Sequence, residues 1–298
     1  MNALLSAIVP VWSIVLIGFI ASHTLTLENK TLAQLTLYVL VPALIIDSLY
    51  STSLSFNNAV RLLAGLYITS LILYLLVWVG SKILNFPATL QQSLVATTLF
   101  PNNGNMGIPV VTFALGTMGL ERGLIYTIGS SILLFGFGPA LLKGGGIGTG
   151  INTILKTPLL WATIAGLGLR FLPNQQLPLN LDSSLELLGK ASIPVALIIL
   201  GMQLATTRFE VGVTESFAAM MRLLIAPTIA FFVGYFLRLE TLDWQVLILQ
   251  SGMPTAVNAY ILSTEFGGDS PWVARTIFIS TIMSFATIAS ILWIFSFF

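Results

Sequence analysis

The sequence predicts an all-α membrane protein: ten transmembrane helices in two inverted five-helix repeats, with one broken helix in each half. Three observations carry this. Of the 298 residues, 56% are hydrophobic and 8% charged, and the mean hydropathy is +0.96. A soluble domain carries roughly 25% charged residues, so lipid must cover most of this surface. Second, apolar runs of about 20 residues, the length a helix needs to cross a bilayer, recur ten times. Third, prolines, asparagines and arginines recur in the same order in both halves at nearly constant spacing.

The runs fall at about 3–22, 32–50, 59–84, 89–117, 121–142, 157–173, 184–206, 216–237, 242–266 and 272–297. The first begins at Ala3 without a preceding basic segment. It is longer than a signal-peptide core of roughly 7–15 residues, so it is expected to be a membrane helix rather than a cleaved leader. Between runs five and six, Lys143–Lys156 contains five glycines and is expected to be a flexible link. It divides the chain into a first repeat, 1–142, and a second, 157–298.

The repeat is read from ordered pairs: Pro10 with Pro158, Gly18 with Gly166, Pro42 with Pro194, Pro101 with Pro254, Asn105 with Asn258, and Arg122 with Arg275. Five spans per half is an odd number, so the second half enters from the opposite side, the arrangement that supports alternating access. Pro42 and Pro194 lack neighbouring asparagines and are expected to be kinks in continuous helices, able to frame a cavity.

Spans 4 and 9 are different. Span 4 stops at Pro101 and runs through Asn102, Asn103, Gly104, Asn105, Met106 and Gly107 before Ile108-Pro109. Span 9 is interrupted at Ser251-Gly252-Met253-Pro254-Thr255, with Asn258 one turn on. Non-helical backbone survives at membrane depth only where protein buries it or water lines it, and matched breaks in two halves point to a transporter's binding site. Pro109 suits the first turn of a new helix, where its missing N–H costs nothing. Asn102, Asn103, Asn105 and Asn258 offer amides to freed backbone or to a ligand. The N-terminal ends of the second half-helices favour an anion such as a carboxylate, and the carbonyl ends of the first halves favour a cation or proton-bearing group.

Charge and composition exclude several classes. A net charge of +1 lacks the clustered Lys and Arg of nucleic-acid binding. The absence of cysteine removes disulfides, zinc–thiolate sites and thiol catalysis. The single histidine, His23, ends the first run, away from the candidate nucleophile Ser130-Ser131 in span 5, and no second midspan aspartate is present, so an intramembrane enzyme is not expected. No cofactor is expected. Asp47, five residues after Pro42, is a candidate for proton coupling or cavity lining, and Glu265 for coupling or a headgroup position. Glu121, Arg122 and Arg275 are expected to anchor interfaces at span starts. Lys30, Lys82, Lys143, Lys156, Arg208 and Arg275, with Arg222 flanking span 8, outnumber Arg61, Arg122, Arg170, Lys190 and Arg238 on the opposite face. That bias favours both termini outside a cell membrane.

With "VPALII" in span 2, "PNNGNMGIPV" in span 4 and a glycine-linked ten-span pattern, the chain resembles the auxin efflux carrier family along essentially its whole length. That family includes plant PIN proteins and bacterial malate or malonate permeases. The resemblance implies an organic-anion carrier with two crossed broken helices. It implies a scaffold of spans 1, 2, 6 and 7, through which homodimers form, and a moving transport domain of spans 3–5 and 8–10. By motif it assigns the crossing to Pro101, Asn102, Asn103, Gly104, Asn105 and Gly107, with Pro254 and Asn258 opposite. The short linker is similar to that of bacterial members rather than the long loop of many plant ones. Coupling to H⁺ or Na⁺ stays open, with a cation exchanger or solute symporter on the same plan as the alternative.

Overall fold

Prolines set where these helices depart from regularity. The computed structural model describes residues 2–143, 152, 154–171, 177, 180–206 and 212–297. The link expected at 143–156 lies largely outside them, as does Arg208. The helices are α1 Asn2–Thr24, α2 Asn29–Tyr50, α3 Phe56–Ile83, α4 Ala88–Leu99, α5 Asn103–Phe137 and α6 Gly138–Lys143. They continue with α7 Pro158–Leu169, α8 Leu181–Thr206, α9 Val213–Phe236, α10 Thr241–Ser251, α11 Asn258–Phe266 and α12 Ser270–Phe295.

Among the described residues four π-turns interrupt them, at Thr36–Leu40, Asn103–Gly107, Leu133–Phe137 and Met221–Ile225. Each ends two residues before a proline: Pro42, Pro109, Pro139 and Pro227. A proline ring collides with the carbonyl four residues back and supplies no N–H. Widening the preceding turn to a five-residue repeat relieves both problems. The kink expected at Pro42 is therefore a widened turn, while α8 runs through Pro194 as one α-helix.

Among the described residues, six segments are long and apolar enough to cross a membrane: α2, α3, α5, α8, α9 and α12. Ile8–Thr24 and α7 are shorter apolar helices. The expected spans 4 and 9 each consist of two helices, α4 with the start of α5, and α10 with α11. Within α5, Gly116 has φ 70° and ψ −163°, a conformation open to glycine because it lacks a Cβ. The helix therefore breaks there, at the end of the expected span 4 and before the expected span 5.

Helices α1 and α8 pack together, and α2 packs against α7 and α8. The α1–α8 contact is backbone to backbone: a Cβ on Gly18 would lie 2.2 Å from the Ile198 carbonyl oxygen, and one on Gly201 would lie 2.0 Å from that of Val15. Small residues permit such approach where no hydrophobic effect drives helices together. Large apolar side chains such as Leu71, Leu75, Trp161, Ile164 and Phe232 are exposed, while Thr69, Ser93, Thr97, Thr98, Ser280 and Ser284 are buried. A water-soluble fold of this size would not expose so much apolar surface.

Candidate functional site

The two breaks meet. Helix α4 ends at Leu99 and α10 at Ser251, and the segments that follow pair as an antiparallel bridge between Pro101 and Thr255. Asn102 N–H donates to the Pro254 carbonyl at 2.7 Å, and Ala256 N–H donates to that of Phe100 at 2.8 Å. The Thr255 hydroxyl donates to Thr97 O at 2.8 Å, and its N–H donates to the Ser280 hydroxyl at 3.2 Å. Neither proline has an N–H to leave unsatisfied, and the groups around them find partners across the break. This is how non-helical backbone is tolerated in a lipid-facing protein.

On the span 4 side the interruption is shorter than the sequence suggests. Helical geometry resumes at Asn103, six residues before Pro109, because the Asn102 carbonyl accepts from both Met106 N (3.3 Å) and Gly107 N (3.0 Å). Asn103 and Asn105 therefore sit in the first turn of α5. Gly107 is buried beneath the Gln250 side chain, whose Oε1 would lie 2.1 Å from a Cβ there, so a larger residue at 107 would displace Gln250. Gln250 itself is fully buried, with Nε2 donating to Gly123 O at 3.4 Å.

Beside the bridge is a cavity of about 490 Å³. Asn102, Asn103, Gly104, Asn105, Ala256 and Asn258 form one wall, Thr127, Ser130 and Ser131 of α5 another, and Tyr38 and Val41 of α2 with Ile199 of α8 the third. Lys156 and Thr157 also line it. Asn103 is 3% exposed, and neither its amide nitrogen nor its oxygen has a protein partner. A second space of about 180 Å³ shares Asn102 and is lined by Leu200 and Leu204 of α8, Tyr260 of α11 and Phe278 of α12. Of the expected residues, Asn102, Asn103, Pro101, Pro254 and Thr255 are buried, Gly104 and Asn105 half-buried, and Asn258 exposed. Asp47 and Glu265 line neither space. Asp47 is half-buried near the end of α2, facing Glu186 and Lys190 of α8, and Glu265 is exposed at the end of α11.

Two arginines expected at span ends are buried inside the protein instead. Arg122 anchors no interface: it is 5% exposed and pairs with Asp243, 1% exposed, at 2.5 Å, with a further bond to Met118 O. Arg275 is half-buried, bonding Glu215 at 2.7 Å. Arg222 does not flank its span; it is 3% exposed and reaches the bridge itself. Its Nε donates to Met253 O at 3.0 Å, Nη1 to Thr98 O at 2.6 Å and Nη2 to Ser251 O. With Arg222 and Arg122 buried, each side of the charge count that orients the chain loses one residue. The Tyr126 hydroxyl closes this region, 3.0 Å from that of Ser251.

A family model described as membrane transport protein matches residues 3–137 and 150–294. The chain belongs to this family. It is the auxin efflux carrier family that the span 4 motif resembles. Two relatives named only as uncharacterized transporters come from archaea. The protein of Methanothermobacter thermautotrophicus is 28% identical over 92% of this chain and 93% of its own. That of Methanocaldococcus jannaschii is 25% identical over 94% and 95%. A protein of Rhizobium meliloti, provisionally named a malonate transporter, is 22% identical over 96% of this chain and 94% of its own. The family and these relatives are transporters rather than enzymes. The chain is a multi-pass integral membrane protein with a transport function.

Proposed function

We propose that this protein is a secondary carrier of a small organic anion, a carboxylate of the size of malonate or malate or an auxin-like acid, working by elevator-type alternating access in a cell membrane. Ten spans form two inverted repeats, 1–142 and 157–298, joined by the 143–156 link. Spans 4 and 9 cross at the Pro101–Thr255 bridge. Spans 1, 2, 6 and 7 form the scaffold and the homodimer contact, and spans 3–5 and 8–10 carry the substrate past it.

The observation that supports this best is Asn103: a buried amide without a protein partner, on the wall of a 490 Å³ cavity between the bridge and α2 and α8. A buried amide is costly to leave unpaired, and a carboxylate would accept from its nitrogen. The start of α5 adds backbone N–H groups and partial positive charge at the same wall. Asn102, Asn105 and Asn258 with Thr127, Ser130 and Ser131 supply further polar contacts. Lys156 is the sole charged residue among the described lining residues. It ends the 143–156 link and suits capture of an anion from that side.

The test is uptake of labelled malonate, malate and indole-3-acetate by liposomes containing the purified protein. Saturable uptake of a carboxylate, absent from empty liposomes, is expected. Failure to move any of a panel of mono- and dicarboxylates, under imposed Na⁺, H⁺ and voltage gradients alike, overturns the reading.

A further inference from the structure

Arg222 places a fixed cation against main-chain carbonyls beside the bridge. Helices α4 and α10 end side by side at the bridge, and the last carbonyls of a helix have no intrahelical partner. Unwound carbonyls and half-helix C-termini of this kind are what coordinate Na⁺ in transporters with broken helices. Here Thr98 O from α4, Ser251 O from the last residue of α10 and Met253 O two residues beyond it surround one position. The guanidinium of Arg222 occupies it, one nitrogen to each oxygen.

The charges also balance. Each helix C-terminus carries roughly −0.5 of an elementary charge, so two of them offset about one guanidinium. Among the described residues no carboxylate lies within ion-pair distance of Arg222; the ion pairs there are Arg122–Asp243, Lys190–Glu186 and Arg275–Glu215. A single buried cation held only by backbone oxygens is stable because the helix ends supply the opposing charge. A Na⁺ added beside it would have nothing left to neutralise it.

We infer that Arg222 is a built-in replacement for a coupling cation: it fills a three-carbonyl cation seat shared by both broken helices, so the protein binds no Na⁺ there. Removing the guanidinium then creates a monovalent-cation site that the native protein lacks. The role is one of positioning, because Arg222 lines neither space beside the bridge. Only its transport consequence rests on the carrier reading; the cation-binding consequence stands without it.

The experiment compares thermal unfolding of purified wild type, Arg222→Ala and Arg222→Gln in NaCl and in choline chloride at equal ionic strength. Arg222→Gln keeps bulk and a donor but carries no charge. Wild type is expected to unfold at the same temperature in both salts. The variants are expected to unfold earlier in choline and to regain about 5 °C or more in saturating Na⁺, and guanidinium ion is expected to restore Arg222→Ala. Na⁺-specific stabilisation of wild type overturns the inference, as does a purified variant indifferent to both Na⁺ and guanidinium. If neither variant can be purified, the wild-type titration decides alone. Carboxylate uptake by wild type in Na⁺, K⁺ and choline media of matched voltage is expected to agree within twofold, and dependence on Na⁺ counts against the inference. Lack of any uptake instead removes the carrier reading and leaves the unfolding result intact.

Discussion

Replacing Asn103 with alanine separates a ligand-binding role from a structural one, because the two predict opposite outcomes. The side chain is 3% exposed, and neither end of its amide bonds to protein. Truncation therefore breaks no internal hydrogen bond and relieves an unmatched buried dipole, worth about 1–3 kcal/mol on mutational scales. The loss of packing from one small polar side chain is of similar size and opposite sign. The net change in stability is expected to stay within about 1 kcal/mol, or roughly 3 °C in unfolding temperature for a chain of this length. Substrate binding behaves differently. A hydrogen bond to a charged acceptor contributes about 1.5–3 kcal/mol, so the KM for carboxylate uptake is expected to rise roughly 10- to 150-fold. The assays are thermal unfolding in detergent and initial uptake rates in liposomes over a range of substrate concentrations. A variant with normal uptake and an unfolding temperature lowered by 6 °C or more would refute the reasoning.

Asp243→Ala strands the buried Arg122 guanidinium and is expected to cost about 3–5 kcal/mol, read as a fall of roughly 6–15 °C in unfolding temperature; Arg122→Met with Asp243→Leu is expected to recover most of it. Gly201→Leu forces a side chain into the Val15 backbone and is expected to separate α1 from α8, reducing the yield of folded protein in size-exclusion chromatography, whereas Gly80→Leu, with open space around it, is expected to leave that yield unchanged. Lys156→Gln is expected to lower carboxylate uptake severalfold at low ionic strength, with the difference shrinking above about 0.5 M salt as the charge is screened; an equal loss at all salt concentrations would count against an entry role for Lys156.

How much was legible in the sequence follows from which constraints lipid imposes. Pro101 with Asn102, Asn103 and Asn105, and Pro254 with Thr255, announce themselves because such residues are anomalous in an apolar run. The structure brings their backbones within hydrogen-bonding distance of each other. The bonded partners of Arg222 carry no such mark. Its acceptors are main-chain carbonyls of Thr98, Ser251 and Met253, and a carbonyl looks the same in every residue, so an arginine near the start of an expected span reads as a flank. Arg122 and Asp243 are 121 positions apart, and only the packing of α5 on α10 reveals them as a pair. The early return to helix at Asn103 was also hidden: a three-asparagine, two-glycine stretch reads as loop, yet the proline at 109 is accommodated by widening the turn before it rather than by delaying the helix.

The Pro101–Thr255 bridge has a consequence for how selectivity could change. Its bonds run between main-chain atoms of Phe100, Asn102, Pro254 and Ala256, and a substitution alters a side chain without removing a peptide group. Cavity residues such as Asn103, Ser130 or Asn258 can therefore be exchanged for others while the frame that holds them stays assembled. Specificity and architecture are in this way written in different atoms, and a panel of wall substitutions can retune the cargo without rebuilding the machine.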